Sequence, residues 1–394
     1  MNDDAAHPVR YRRALHRIHT WTSGPLDLSG LQLTSLPPIP PEVTHLSCQN
    51  NFLTSLGPLP AGLKVLDCSH NELTDLGKGL PLDLQSLTCE GNHLTHLPEL
   101  PEPLQFLVCR HNKLRSLPAL PLRLVKLSCE QNLLETLPPL PRMLRILTCQ
   151  KNNLQALPEE MPPSLRFLDC SENCLTRMPR LGNNVTHIDC CHNALSELSN
   201  PLPSSLVFLH CNSNRLVSLP PLPPRLEELY CQINSLGSLP PLPDDLTVLN
   251  CSYNNIEALP TFLPRMLEDL FCSWNYIQVL PEPLPPGLLY LEATHNYLAS
   301  LPHFLPAEMV GLQLEGNRLP PLDDESPEAY MERLRSLEIG RAVNRCKRLK
   351  EELMSVCWSP VRLDHLFEEY TSPQWNHTTK SYGPLNIITH DEIL

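Results

Sequence analysis

The stretch Leu66-Asp67-Cys68-Ser69-His70-Asn71-Glu72-Leu73 decides the fold, because its pattern, Leu-x-Cys-x-x-Asn-x-Leu, returns along most of the chain. The asparagine of this pattern comes back at steps of 20 or 21 residues, as Asn51, Asn71, Asn92, Asn112, Asn132, Asn152, Asn173, Asn193, Asn214, Asn234, Asn254, Asn275, Asn296 and Asn317. A fixed period of this length indicates one structural unit stacked many times, in which each copy contacts only its neighbours.

Apolar and polar residues alternate within each copy, and this alternation predicts a short β-strand. Leu66 and Cys68 are expected to point into the core, while Val65, Asp67 and Ser69 face outward. The asparagine follows the strand. Its amide can both donate to and accept from buried backbone groups, so stacked copies are expected to form a ladder.

The segment between two strands is rich in proline, as in Leu117-Pro118-Ala119-Leu120-Pro121-Leu122. Proline lacks a backbone donor and restricts φ, so this segment cannot be a helix and is expected to be extended, polyproline-II-like backbone. The fold that follows is a leucine-rich repeat solenoid. It has a parallel β-sheet on the concave face, a polyproline-II-like convex face and short helical caps.

Composition narrows the possible partners. The 394 residues would suggest two or three ordinary domains, but a repeat array grows as one domain. The formal net charge of −13 argues against binding to the phosphate backbone of nucleic acid. No run approaches the ~18 apolar residues of a membrane span, and the N-terminus lacks the basic and apolar regions of a cleaved signal peptide.

Twelve of the sixteen cysteines occupy one core position of the repeat: Cys48, Cys68, Cys89, Cys109, Cys129, Cys149, Cys170, Cys190, Cys211, Cys231, Cys251 and Cys272. One inward thiol in each turn offers no pairing scheme, so cysteine acts here as a small hydrophobic residue. Reduced thiols in these numbers indicate a reducing, cytosol-like compartment.

Three segments are predicted. Residues 1–25 form an N-terminal helical cap, since Tyr11, Leu15, Ile18 and Trp21 have helical spacing; a basic targeting or secretion segment is the alternative. Residues 26–319 form the solenoid of about 15 turns. Residues 320–394 change composition and are expected to form a helical C-terminal cap and tail.

The repeat Leu-Pro-x-Leu-Pro-x-x-Leu-x-x-Leu-x-Cys-x-x-Asn-x-Leu resembles the bacterial short-repeat class of secreted effectors of the YopM and IpaH type. That class usually has an aliphatic residue where this chain has cysteine. The resemblance covers residues 26–319 and implies an array that binds target proteins.

Some members of the class add a large ubiquitin-ligase domain with a Cys-x-Asp motif. Here only about 75 residues follow the array, and neither Cys346 nor Cys357 matches that motif, so ligase activity does not carry over. The stretch from Lys350 to Leu363 resembles C-terminal elements in proteins of large DNA viruses.

Aromatic and apolar residues recur at outward positions of the predicted strands, with charged residues between them. Aromatic anchors with charged neighbours are typical of protein interfaces, although scattered exposed apolar residues are also common. We predict a protein-binding concave face that includes Phe106, Val108, Ile146, Phe167, Phe208, Tyr230, Phe271 and Tyr290.

A polar group lies in the middle of the same face. Asp169, Asp189 and His210 share one outward column on successive turns, and His187 and Cys191 flank Asp189. Carboxylate, imidazole and thiol groups at this spacing suit a zinc-like ion. The simpler interpretation is polar surface in which a histidine relieves two carboxylates, and we predict no metal and no other cofactor.

Three classes of function are compatible with these patterns. The first is a non-catalytic, effector-like or viral module that binds a protein, expected to be a host protein. The second is a ubiquitin-ligase adaptor or ligase acting through the C-terminal tail, and the third is a structural or virion-associated protein. We predict the first, with no nucleic-acid partner and a cytoplasmic location, which is the host cytosol if the source is a pathogen or virus.

Overall fold

The computed structural model describes residues 7–77, 79–302 and 305–319. In this described part, one helix, α1 (His7–Thr20), precedes fifteen short strands, one for each repeat. The strands are β1 (Leu26–Asp27), β2 (His45–Ser47), β3 (Val65–Asp67), β4 (Ser86–Thr88), β5 (Phe106–Val108), β6 (Lys126–Ser128), β7 (Ile146–Thr148), β8 (Phe167–Asp169), β9 (His187–Asp189), β10 (Phe208–His210), β11 (Glu228–Tyr230), β12 (Val248–Asn250), β13 (Asp269–Phe271), β14 (Tyr290–Glu292) and β15 (Gly311–Gln313).

Strands β1 to β14 form a parallel sheet in which each strand pairs with the next in sequence order. The register places equivalent residues side by side, as for Leu66 and Leu87. Leu66 and Cys68 are both 0% exposed, as the alternation predicts. The predicted leucine-rich repeat solenoid is confirmed. Strand β15 belongs to a second compact unit, in which Leu312 is buried.

The connections between strands contain no helix or strand residues in the described part of the chain, as their prolines predict. Proline also begins the turn that returns the chain to the sheet. The carbonyl of Pro121 accepts a hydrogen bond from the N–H of Leu124 at 3.1 Å, which closes a β-turn. This turn places Leu124 in the core, where it is fully buried.

Asn152 shows how the ladder asparagine joins two repeats. Its Nδ2 donates to the carbonyls of Cys129 (3.0 Å), Cys149 (3.0 Å) and Gln150 (3.2 Å). Its Oδ1 accepts from the N–H of Leu134 at 3.0 Å. Because Cys129 and Leu134 belong to the preceding turn, one side chain satisfies backbone groups of both turns. Equivalent bonds form at Asn51 near the start of the array and at Asn275 in its later part.

The residue directly before each ladder asparagine has left-handed backbone. Twelve non-glycine residues hold this position with φ between 50° and 58°, and Gly91 and Gly316 hold it in two further turns. The sharp turn brings each asparagine back against the carbonyls at the end of its own strand. The periodic pattern alone did not indicate this conformation, since non-glycine residues rarely adopt it.

The fourteen cysteines that the structure describes are free thiols, and the twelve of the repeat column are all buried. Burial raises the pKa of these thiols, for Cys251 to about 12. Some of them donate weak hydrogen bonds to the next turn, as Cys170 does to the carbonyl of Asp189 at 3.4 Å. Cys174 lies outside the column and is exposed. The column is therefore part of the core, as predicted.

Helix α1 contacts the first strand. Its Ala14 is 0% exposed, and Nη1 of Arg17 donates to the carbonyl of Asp27 at 3.0 Å. No helix in the described residues is long and apolar enough to cross a membrane. The predicted C-terminal helices, together with Cys346 and Cys357, lie outside the described residues.

The ladder geometry predicts the effect of removing one amide. Asn152→Ala deletes four hydrogen bonds to buried backbone groups and should lower the free energy of unfolding by about 1–3 kcal/mol. Hydrogen exchange should accelerate first in the two adjacent turns, because each turn contacts only its neighbours.

The control for this substitution is the next residue. Asn153 is exposed, and its backbone N–H bond to Leu134 survives a change to alanine, so Asn153→Ala should shift stability by less than about 0.5 kcal/mol. Equal destabilisation by the two variants, measured by chemical denaturation, would contradict the ladder's role.

The burial of the cysteine column predicts opposite effects on stability for two substitutions of Cys129. Cys129→Val should change stability little, whereas Cys129→Asp should unfold the middle of the array, because it buries an unpaired charge. Alkylation under native conditions, mapped by mass spectrometry, should modify Cys174 and leave the buried column unmodified. Rapid labelling of Cys129, or disulfides in protein made in the cytosol, would contradict this interpretation.

Candidate protein-binding surface

We call the outward side chains of strands β4 to β14, with the residue after each core cysteine, the sheet face. Five of the predicted binding residues are half-buried there: Phe106, Val108, Phe208, Phe271 and Tyr290. The other three are buried, with Ile146 at 1%, Phe167 at 3% and Tyr230 at 6% exposure. The structure therefore brings all eight onto one sheet but leaves them unequally accessible.

Aromatic side chains on the sheet face stack from turn to turn. The ring centroids of Phe167 and His187 are 5.7 Å apart, and those of His187 and Phe208 are 4.5 Å apart and nearly parallel. His210 and Tyr230 meet edge to face at 4.6 Å. Sequence reasoning placed His187 only beside the acidic pair. Its position in the same strand column as the two phenylalanines was the signal for its stacking role.

The predicted polar group does assemble in the middle of this face. Nδ1 of His210 lies 3.7 Å from Oδ2 of Asp189, whose Oδ1 accepts from the N–H of Cys191 at 3.0 Å. Oδ1 of Asp169 accepts from the N–H and Oγ of Ser171 at 3.0 and 2.7 Å. Both carboxylates thus receive hydrogen bonds from the protein itself.

The two carboxyl groups titrate differently. Burial and the neighbouring Asp189 raise the pKa of Asp169. Burial also acts to raise the pKa of Asp189, but the neighbouring imidazole of His210 and the N–H of Cys191 outweigh burial and lower this pKa. Within the described residues, no group of three His, Cys, Asp or Glu side chains is placed to hold a metal ion.

An ion-pair network occupies the N-terminal part of the sheet face. Arg110 pairs with Glu90, and its Nη1 lies 3.5 Å from Oε1 of Glu130. Oε2 of Glu130 accepts from Oγ1 of Thr148 at 2.8 Å, and burial raises the pKa of this carboxyl group. Nε2 of His70 lies 3.2 Å from Glu90. Sequence reasoning missed this network, although glutamate, arginine and glutamate hold the same offset in three consecutive turns.

Comparison with solved structures identifies proteins with the same architecture. YopM from Yersinia pestis, a leucine-rich effector protein, aligns with a TM-score of 0.66 and 31% identity over 80% of this chain and 92% of that chain. A leucine-rich repeat protein from Leptospira interrogans aligns with a TM-score of 0.57 and 25% identity over 78% and 80% of the two chains.

A third similar structure is the functional domain of InlJ from Listeria monocytogenes, which includes a cysteine ladder. It aligns with a TM-score of 0.51 and 25% identity over 68% of this chain and 65% of that chain. Comparisons with protein-family models and with curated proteins gave no match.

The predicted resemblance to bacterial effector repeats is confirmed by these alignments, and the similarity supports a protein-interaction module. With 31% identity across nearly the full length of the Yersinia pestis protein, the chain belongs to the YopM-type family of bacterial leucine-rich repeat proteins.

Proposed function

We propose that this protein is a non-catalytic binding module whose sheet face engages another protein. The half-buried aromatic residues Phe106, Phe208, Phe271 and Tyr290 supply the anchors of this contact. Likeness to an effector of Yersinia pestis supports a host protein as the partner and the host cytosol as the place of contact.

The observation that carries this proposal is the stacked column Phe167–His187–Phe208 on three consecutive strands. The parallel register holds these rings side by side, so little conformational entropy remains to be lost on binding. Rigid aromatic side chains with few rotamers are the residues that contribute most to protein interfaces. Buried Phe167 and His187 support Phe208, which is the accessible end of the column.

The charge of the sheet face suggests the character of the partner. In strands β11 to β14, the acidic residues Glu228, Asp269 and Glu292 lie on the same face as Phe271 and Tyr290. Asp269 and Glu292 are buried and Glu228 is half-buried, so Glu228 is the one of the three that a lysine or arginine of the partner can approach. The formal net charge of −13 acts in the same direction, because it attracts basic proteins at long range.

The test removes two half-buried anchors from the C-terminal half. Phe271→Ala with Tyr290→Ala should reduce capture of the partner by at least about tenfold, because truncated aromatic anchors each cost about 2 kcal/mol or more. The measurement is quantitative mass spectrometry of proteins retained from host cytosolic extract by immobilised full-length protein, with the melting temperature recorded for each variant.

The control removes a similar apolar area elsewhere. Phe262 and Met266 are 82% and 60% exposed in the connection between β12 and β13, so Phe262→Ala with Met266→Ala should leave capture unchanged. If the anchor variant keeps the same partners as the control, the C-terminal end of the sheet face is not the binding surface. Phe106→Ala with Phe208→Ala then tests the rest of the face in the same assay, and the sheet-face proposal is wrong if this variant also keeps the partners.

A further inference from the structure

A second surface lies along the loop edge, where the carboxyl ends of the strands turn toward the ladder asparagines. In early turns the left-handed position before the asparagine holds polar residues such as Asn50, His70 and His111. In four consecutive late turns it holds Ile233, Tyr253, Trp274 and His295 instead. The loop edge therefore changes from polar to aromatic toward one end of the array.

The late residues form two ordered rows. In the first row, Tyr253 and Trp274 stack at 5.5 Å between centroids with planes 9° apart, and Trp274 and His295 stack at 4.0 Å with planes 5° apart. In the second row, Tyr276 and Tyr297 lie 5.7 Å apart. We call these five residues the aromatic edge.

The last ring of each row contacts a residue of the following turn. A Cβ atom at Gly316 would lie 2.9 Å from the ring of His295, so only glycine lets this ring lie flat on the next turn. The guanidinium carbon of Arg318 lies 4.0 Å above the ring of Tyr297. Stacking within each row covers ring faces, while all five side chains remain exposed to solvent.

The fold does not require aromatic residues at these positions. Asparagine, glutamine, lysine and serine occupy the same left-handed backbone in other turns. Bulky and β-branched residues are unfavourable there, yet Ile233 has φ 57° and Trp274 has φ 58°. Tyr253 and Trp274 remain 51% and 47% exposed, so the unfavourable backbone is not offset by full burial. Backbone strain kept at an exposed position indicates a role in recognition.

The size of the aromatic edge fits a short segment better than a second folded copy. Half-exposed aromatic side chains leave roughly 100 Å² each, so the five residues offer about 400–500 Å² in total. A stable dimer needs about 800 Å² from each partner. A patch of this size is in the range of the largest apolar patch on a typical monomer, which is often functional, and it suits a linear peptide.

The chemistry of the edge selects one kind of peptide. Tyrosine hydroxyls and the indole N–H lie on ring edges and donate hydrogen bonds, and a polyproline-II segment has a row of carbonyls with no internal partners. Its repeat of three residues measures ~9.3 Å, and two turns of this array measure ~9.6 Å. Carbonyls of every third residue therefore align with every second turn, as with the turns of Tyr253 and His295, and Trp274 lies between them. We propose that the aromatic edge binds a proline-rich, polyproline-II segment of a partner protein.

This inference goes beyond the sheet-face contact and does not depend on it. The aromatic edge follows the strands in the chain, whereas the sheet face consists of the strands themselves and the residues next to them. A partner could occupy either surface alone or both at once, in which case the peptide would add affinity to the folded contact.

The test uses the full chain and a fluorescein-labelled peptide of ten prolines, followed by fluorescence anisotropy. Trp274→Asn with Tyr253→Asn should weaken binding by at least about tenfold, because it removes two aromatic anchors. Asparagine already holds this backbone at Asn50, so the melting temperature should not fall by more than a few degrees. Tyr276→Asn, which copies Asn255 one turn earlier, tests the second row on ordinary backbone.

The matched control is His111→Asn, which introduces asparagine at the same repeat position in the polar part of the edge, and it should leave the affinity unchanged. A Gly-Ser peptide of equal length should not bind. The sheet-face variant Phe271→Ala with Tyr290→Ala should keep the affinity for the proline peptide, which separates this site from the proposed function.

Three results would overturn the proposal. The first is no saturable binding of the proline peptide up to millimolar concentration. The second is equal binding by the parent and the Trp274→Asn, Tyr253→Asn variant. The third is dimerisation of the parent in sedimentation experiments that the variant loses, because the edge would then cover a second copy of this chain.

Discussion

The structure depends on how one amide side chain satisfies buried backbone groups between turns. A ladder asparagine donates to carbonyls of two successive repeats and accepts from the N–H of a core leucine or isoleucine, as Asn152 and Asn275 do. Without these bonds, the tight turn after each strand would bury unpaired polar groups in every repeat. The left-handed residue before the asparagine makes the bonds possible, because it turns the amide back toward its own strand.

This constraint separates positions that the fold needs from positions that it leaves open. The core leucine, the core cysteine and the ladder asparagine recur because each turn must bury the same groups against the next one. The outward strand positions and the left-handed position carry no such requirement for side-chain type. Both surfaces proposed for binding, the sheet face and the aromatic edge, use these open positions.

The cysteine column is an example of a position that the fold requires. A thiol at an inward position packs as a small apolar group, and burial keeps it protonated by raising its pKa. Neighbouring thiols in the column belong to parallel strands in register, which is why they remain unpaired in the described repeats.

The sequence by itself determined the fold, the core and the family resemblance, because the period of 20 or 21 residues repeats the same local physics in every turn. Tertiary structure alone decided which side chains meet. His187 stacks between Phe167 and Phe208, and Trp274 stacks on His295, only because strands in register bring residues about twenty positions apart to within ~5 Å. The repeat pattern also did not predict how exposed each outward side chain is to solvent. Alternation marks Phe167 and Phe208 alike as outward, but contacts with side chains from other turns determine that only Phe208 remains accessible.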